Sequence, residues 1–231
     1  MLITFVVAYL LVTIAIGLLA ARRVQGSKDF LVAGRSLPLY MNVATVFATW
    51  FGAETVLSVS ATFAKDGLSG IPGDPFGASV CLVIAALLFA RLFYRMNLLT
   101  IGDFYKQRYG KAVEVLTSVA IVASYLGWTS AQMTALGLVI ATLSGGAIDL
   151  NTAILIGAGV VMIYTIFGGM WSVAFTDLFQ TIVILIGLAL VAYLVGDLAG
   201  GLPKVVSQAA AEGKLTMFPA DMDAAAWWAM A

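Results

Sequence analysis

The sequence predicts an all-α integral membrane protein, and three observations carry that expectation. Of 231 residues, 62% are hydrophobic and only 10% charged, where soluble domains carry about 25% charged residues. Six apolar stretches are long enough to cross a bilayer, which takes roughly 20 residues of helix. The basic residues fall mostly on one side of the crossings those stretches imply. The formal net charge is zero and there is no histidine. Neither nucleic-acid binding nor a histidine-based metal or catalytic site is suggested.

The first stretch is "MLITFVVAYLLVTIAIGLLAARR". No basic residue precedes its apolar run, no small-residue cleavage pattern follows it, and its 20 uncharged residues exceed the ~7–15 of a signal-peptide core. It reads as a retained span over 2–21. The others cover 37–64, 76–98, 113–143, 150–169 and 174–196. A straight helix of 28 residues, as 37–64 would be, extends ~42 Å against a hydrocarbon core of ~30 Å. The second and fourth stretches must therefore tilt, protrude or break. Cys81, the single cysteine, lies in the third stretch and reads as a small buried hydrophobe; no disulfide forms within one chain.

With the N-terminus outside, the inner connections hold Arg22, Arg23, Lys28, Arg35, Arg91, Arg95, Lys106, Arg108 and Lys111, leaving Lys65, Lys204 and Lys214 outside. That nine-to-three bias fixes the expected orientation, and six crossings put residue 231 outside as well. "KDGLSGIPGDP", between the second and third stretches, reads as irregular turn structure. The tail after Gly196 is more polar, and its Trp227–Trp228 pair suits a membrane interface. No internal repeat of 20–50 residues is evident.

One carboxylate stands out. Glu54 is the only charge between Leu37 and Ala64, in "ATWFGAETVLS". A charged carboxylate at mid-membrane costs ~2.5–3.5 kcal/mol on insertion scales, so something must compensate it. Gly52 weakens a helix there by ~1 kcal/mol relative to alanine. A break at that point would release backbone carbonyls, which is tolerated at membrane depth only beside a cavity. Broken helices whose carbonyls bind cations are a recurring plan of ion-coupled transporters. The competing reading has Glu54 protonated, or bonded to a neighbouring Ser, Thr or Gln, and Gly52 serving close helix packing.

A second constellation opens the sixth stretch. Gly168 and Gly169 interrupt the apolar run, and Asp177 and Gln180, three residues apart, share a helix face. Two readings stand: an acidic site on an ion pathway, or Ser172, Thr176 and Asp177 capping a helix N-terminus. Trp128, Thr129, Ser130 and Gln132 interrupt the fourth stretch, either as inter-helix hydrogen bonders or, for Trp128 together with Trp50, as walls of a site where an indole face meets a cationic group. The acids are scattered, with no nucleophile–base pair or metal cluster, so the chain does not read as an enzyme.

Together "DFLVAGRSLP", "FATWFGAET", "TIGDFYKQRYG" and "GGMWSVAFTDLFQTIVILIGL" resemble the sodium:solute symporter family, over residues 28–196. The resemblance implies the leucine-transporter fold: an extra N-terminal helix (1–27 with its inner loop), a first five-helix repeat (28–196) and an extracytoplasmic segment (197–231), with the second inverted repeat missing. On that expectation the chain is the N-terminal half of a transporter for Na⁺ and a small organic solute in the plasma membrane, with no cofactor beyond Na⁺ as coupling ion. It would need its C-terminal repeat or a partner chain. Carried over by position, Ala48 and Phe51 offer backbone carbonyls to Na⁺, an incomplete shell; Asp177 and Gln180 couple the ion; Trp50, Glu54 and Trp128 meet substrate. The motifs look most like the choline-transporter branch. Glu54 departs from it, standing where that branch carries glycine, and "DGLSGIPGDP" lacks the aromatic expected there. Two alternatives remain at this stage: a symporter-like sensor module of a signalling protein, or a non-transporting half-molecule that dimerises.

Overall fold

The computed structural model describes residues 2–218; the Trp227–Trp228 pair and residue 231 lie outside them. All regular structure among the described residues is helical. The helices are α1 (Leu2–Ala21), α2 (Ser27–Val32), α3 (Leu39–Trp50), α4 (Ser60–Asp66), α5 (Ala78–Ala85), α6 (Arg91–Arg95), α7 (Ile101–Tyr109), α8 (Lys111–Leu143), α9 (Leu150–Leu198) and α10 (Leu202–Ala211). Wide, π-type turns link α3 to α4 (Glu54–Val59) and α5 to α6 (Ala86–Ala90).

The six expected stretches are built from fewer, and less regular, helices. Four helices are long and apolar enough to cross a membrane: Ile3–Ala21, Pro72–Arg95, Lys111–Leu143 and Leu150–Leu198. The last contains both the fifth and sixth expected spans, bent at Gly169, whose φ of 49° and ψ of −139° lie outside helical values. The stretch 37–64 is not one helix. It is assembled from α3, the wide turn Glu54–Val59 and α4, with the regular path lost at Phe51–Gly52. The inner connection before it, expected to be a loop, forms α2, which meets α3 at 107°. Three successive residues with positive φ make that turn: Ala33, Gly34 and Arg35. The Arg35 guanidinium donates to Leu98 O, so the two basic connections are tied together by a charge-assisted bond.

The chain divides into two compact units, Met1–Thr49 with Leu98–Thr181, and Trp50–Asn97 with Ile182–Ala231. Within the first, small residues let backbones approach, the usual device where lipid removes the hydrophobic drive between helices. Gly17 of α1 faces the Tyr164 ring, and Gly137 of α8 faces Ile154 of α9. Tyr9 stacks on Phe179 with ring centroids 5.8 Å apart. Ser172, fully buried, donates to Gly17 O. Arg23 at the end of α1 lies over Trp171 and Phe175, 5.1 and 4.9 Å from their centroids, a cation–π clamp.

In the same unit α7 begins with a capping box. Thr100 Oγ1 accepts from Asp103 N–H at 3.3 Å, while Asp103 Oδ2 accepts from Thr100 N–H at 2.9 Å. The Thr100 amide holds the Asp103 carboxyl below its usual range. A depressed folded pKa means that its stabilisation is present above the unfolded value of about 3.9 and is lost as pH falls through the lower folded one. Thr100→Ala is expected to cost about 1 kcal/mol and to speed amide exchange at Asp103 and Phe104. Unchanged exchange there would show that the box does not hold α7.

In the second unit, the C-terminal segment closes the end of α4. Leu68 N–H donates to Lys214 O at 2.8 Å, and Lys214 Nζ to Ala64 O at 2.7 Å. Gly67, at φ 70°, leaves room for this approach, since a Cβ there would collide with the Lys214 backbone. Cys81 is exposed on α5, not buried as expected. An apolar neighbourhood in a membrane chain includes surface turned to lipid, and hydrophobicity alone does not separate that from a core.

Candidate functional site

The break after α3 follows from local chemistry. In an unbroken helix Gly52 N–H would bond the Ala48 carbonyl four residues back; here it donates to Trp50 O at 2.9 Å. The Ala48 carbonyl thereby loses its helical partner at Gly52, and Phe51 sits in the bend itself. Helix-type bonding resumes when Val56 N–H reaches Gly52 O at 3.2 Å.

In the second unit Trp50, 45% exposed, closes α3. Its Nε1–H donates to Asp74 Oδ1 at 3.0 Å, and Thr55 Oγ1 donates to Asp74 Oδ2 at 3.1 Å. Glu54 is exposed and makes no side-chain hydrogen bond or ion pair among the described residues.

In the first unit Asp177 sits on α9, two turns beyond the Gly169 bend. It is 9% exposed, as is Thr45 of α3, whose hydroxyl it faces. Yet neither Asp177 Oδ2 nor Thr45 Oγ1 completes a hydrogen bond. The capping alternative does not hold. Ser172 donates to α1, Thr176 Oγ1 bonds back to Ser172 O at 3.0 Å, and Asp177 lies beyond the first turn after the bend. Nearby Thr181 Oγ1 donates to Ala44 O at 3.2 Å, tying α9 to α3. Gln180 is half-buried and makes no hydrogen bond to Asp177.

Trp128, 41% exposed on α8, meets Tyr125 edge-on at 6.3 Å. Ser130 Oγ donates to Leu126 O at 2.7 Å within its own helix. Trp50 and Glu54 fall in one unit, Ala48, Trp128, Asp177 and Gln180 in the other. Sequence reasoning missed Thr45 and Asp74. Thr45 was discoverable, one turn before Thr49 on a mostly apolar helix.

A multi-span helical chain with a helix broken inside a span and a buried, unsatisfied carboxylate on another has the build of a secondary transporter. The sequence model of the sodium:solute symporter family matches residues 30–222, and the chain belongs to that family, whose members are transporters rather than enzymes. It is 28% identical over 194 residues to high-affinity choline transporter 1 of Caenorhabditis elegans, covering 79% of this chain and 33% of that protein. The human high-affinity choline transporter 1 is 29% identical, over 81% of this chain and 33% of its own length. The sodium/glucose cotransporter of Vibrio parahaemolyticus is 27% identical, over 84% and 36%. The chain thus spans about a third of the length of these relatives. No solved structure matches.

Proposed function

We propose that this chain is the N-terminal half of a Na⁺-coupled symporter for a small organic solute, working by alternating access. The observation that carries the reading is the break at Phe51–Gly52, which turns Gly52 N–H away from the Ala48 carbonyl. On this reading the carbonyls of Ala48 and Phe51 contribute to a Na⁺ shell, Asp177 and Gln180 couple the ion, and Trp50, Glu54 and Trp128 meet the solute. The fold is leucine-transporter-like, with its second inverted repeat supplied by the rest of the natural protein or by a partner chain. The protein lies in the plasma membrane with both ends of this chain extracytoplasmic, an orientation supported by the basic-residue bias. Na⁺ drives the cycle only through its different affinity for the outward- and inward-open states.

The test is uptake by the full-length natural product in proteoliposomes, offered choline, glucose and lactate, the last because the chain is also 26% identical to sodium-coupled monocarboxylate transporter 2 of Bos taurus, under an inward Na⁺ gradient. Accumulation of one of them, abolished when K⁺ replaces Na⁺, is the expected result. Equal uptake in the two salts would defeat Na⁺ coupling, and no uptake of any of the three would defeat the solute classes suggested by the relatives.

A further inference from the structure

We propose that Asp74 is the positioning residue of the helix break: its carboxylate fixes the Trp50 indole and the first turn beyond the break, and so sets the geometry in which Trp50 walls the solute site. The proposal rests on Trp50 being such a wall, the reading given above.

By sequence, Asp74 belongs to a Gly/Pro-rich connection, where an aspartate ordinarily bonds its own backbone two or three residues on. It does not do so here. Its backbone is extended, at φ −131° and ψ 121°, and its two oxygens are engaged 24 and 19 residues back, by Trp50 Nε1–H at 3.0 Å and Thr55 Oγ1 at 3.1 Å. Among the described residues no basic side chain pairs with Asp74; Lys106 and Lys214 are paired with Glu114 and Glu212. A carboxylate acceptor strengthens the bonds made to it; of the two, the indole bond at 3.0 Å has no competing acceptor, whereas the Thr55 hydroxyl also reaches Trp50 O at 3.3 Å.

The two donors stand on opposite sides of the break. Trp50 is the last residue of α3, and Thr55 lies in the turn Glu54–Val59. One carboxylate therefore bridges a point where the helical ladder is interrupted. It also immobilises an indole that is otherwise 45% exposed and free to rotate about two side-chain torsions. A ring anchored through its N–H presents a fixed face, the prerequisite for stacking on a solute or meeting a cationic group.

The experiment uses the full-length protein in nanodiscs and proteoliposomes. With ¹⁵N-labelled tryptophan, the Trp50 indole resonance is assigned by its loss in Trp50→Phe. Asp74→Ala is expected to move that resonance upfield and to raise KM about tenfold, with Vmax and melting temperature held, because only solute binding has lost its pre-set geometry. KM is read with whichever of choline, glucose or lactate the wild type accumulates. Asp74→Asn, whose amide oxygen still accepts from the indole, should stay within about threefold of wild type. In a Trp50→Phe background Asp74→Ala should change KM less than about twofold. An unmoved resonance in Asp74→Ala overturns the proposal. So does a fall in Vmax and folded yield at unchanged KM, which would make Asp74 a structural brace. Should the wild type accumulate none of the three, the symport reading fails for those solutes, and the resonance alone decides whether Asp74 holds Trp50.

Discussion

Gly169→Ala is expected to abolish most of the folded protein. At φ 49° and ψ −139° the residue occupies backbone space open to glycine and strained for every L side chain. The strain is not the whole cost. A Cβ at this position would drive into the carbonyl oxygen and ring of Phe30, the first of which is backbone that cannot swing aside. The two penalties together reach at least about 3 kcal/mol, the range in which single substitutions become diagnostic. The bend itself separates the two halves of α9 and places Ser172 against Gly17 and Asp177 against Thr45. Straightening it would break the first unit apart. Gly159→Ala and Gly187→Ala, on the same helix, supply the control: a Cβ at either meets nothing within 4 Å. Alanine there should be neutral or stabilising by up to ~1 kcal/mol. Monodisperse protein recovered in detergent, with its melting temperature, reads all three. Equal recovery of Gly169→Ala and the controls would mean that α9 tolerates a regular path through that turn.

The bend was legible because two adjacent glycines inside an apolar run have few other uses, and the break at Phe51–Gly52 because a 28-residue stretch overshoots the bilayer. Both are local signals, in which length and glycine placement speak about the same few residues. What could not be read were the contacts that give these features company. Asp74 lies among glycines and prolines, and such a setting argues for a turn. Only the fold reveals that its oxygens reach Trp50 and Thr55. Arg23 looked like an inner-side topogenic charge, yet it also lies over Trp171 and Phe175; nothing in a basic pair announces a partner almost 150 residues away. The helix α7 is a different kind of miss. Thr100 and Asp103 spell a capping box at the required spacing, a signal that the charges of "TIGDFYKQRYG" mask.

Asp177→Asn is expected to separate the two roles a buried carboxylate can have. If the side chain served the fold, its oxygens would be satisfied, because a buried polar atom without a partner costs roughly 1–3 kcal/mol and more when charged. Asp177 Oδ2 has no hydrogen-bond partner, and neither does Thr45 Oγ1, the hydroxyl it faces. Asparagine therefore costs the fold at most the Thr45 contact, and it leaves no carboxyl group that must be desolvated inside a span. Folded yield and melting temperature should hold or rise in the asparagine variant. The Na⁺ concentration giving half-maximal uptake by the full-length protein should increase about tenfold or more, equivalent to ~1.4 kcal/mol of lost ion interaction. Thr45→Val tests the facing oxygen in the same way: it keeps the shape, removes the hydroxyl, and should shift Na⁺ dependence in the same direction if the pair acts together. Coupling is then read from the double variant, whose effect should fall short of the sum of the two singles. The opposite pattern, a collapse of folded yield in Asp177→Asn with unaltered Na⁺ dependence in whatever protein survives, would make the carboxylate a structural element whose second oxygen finds its partner elsewhere in the natural protein.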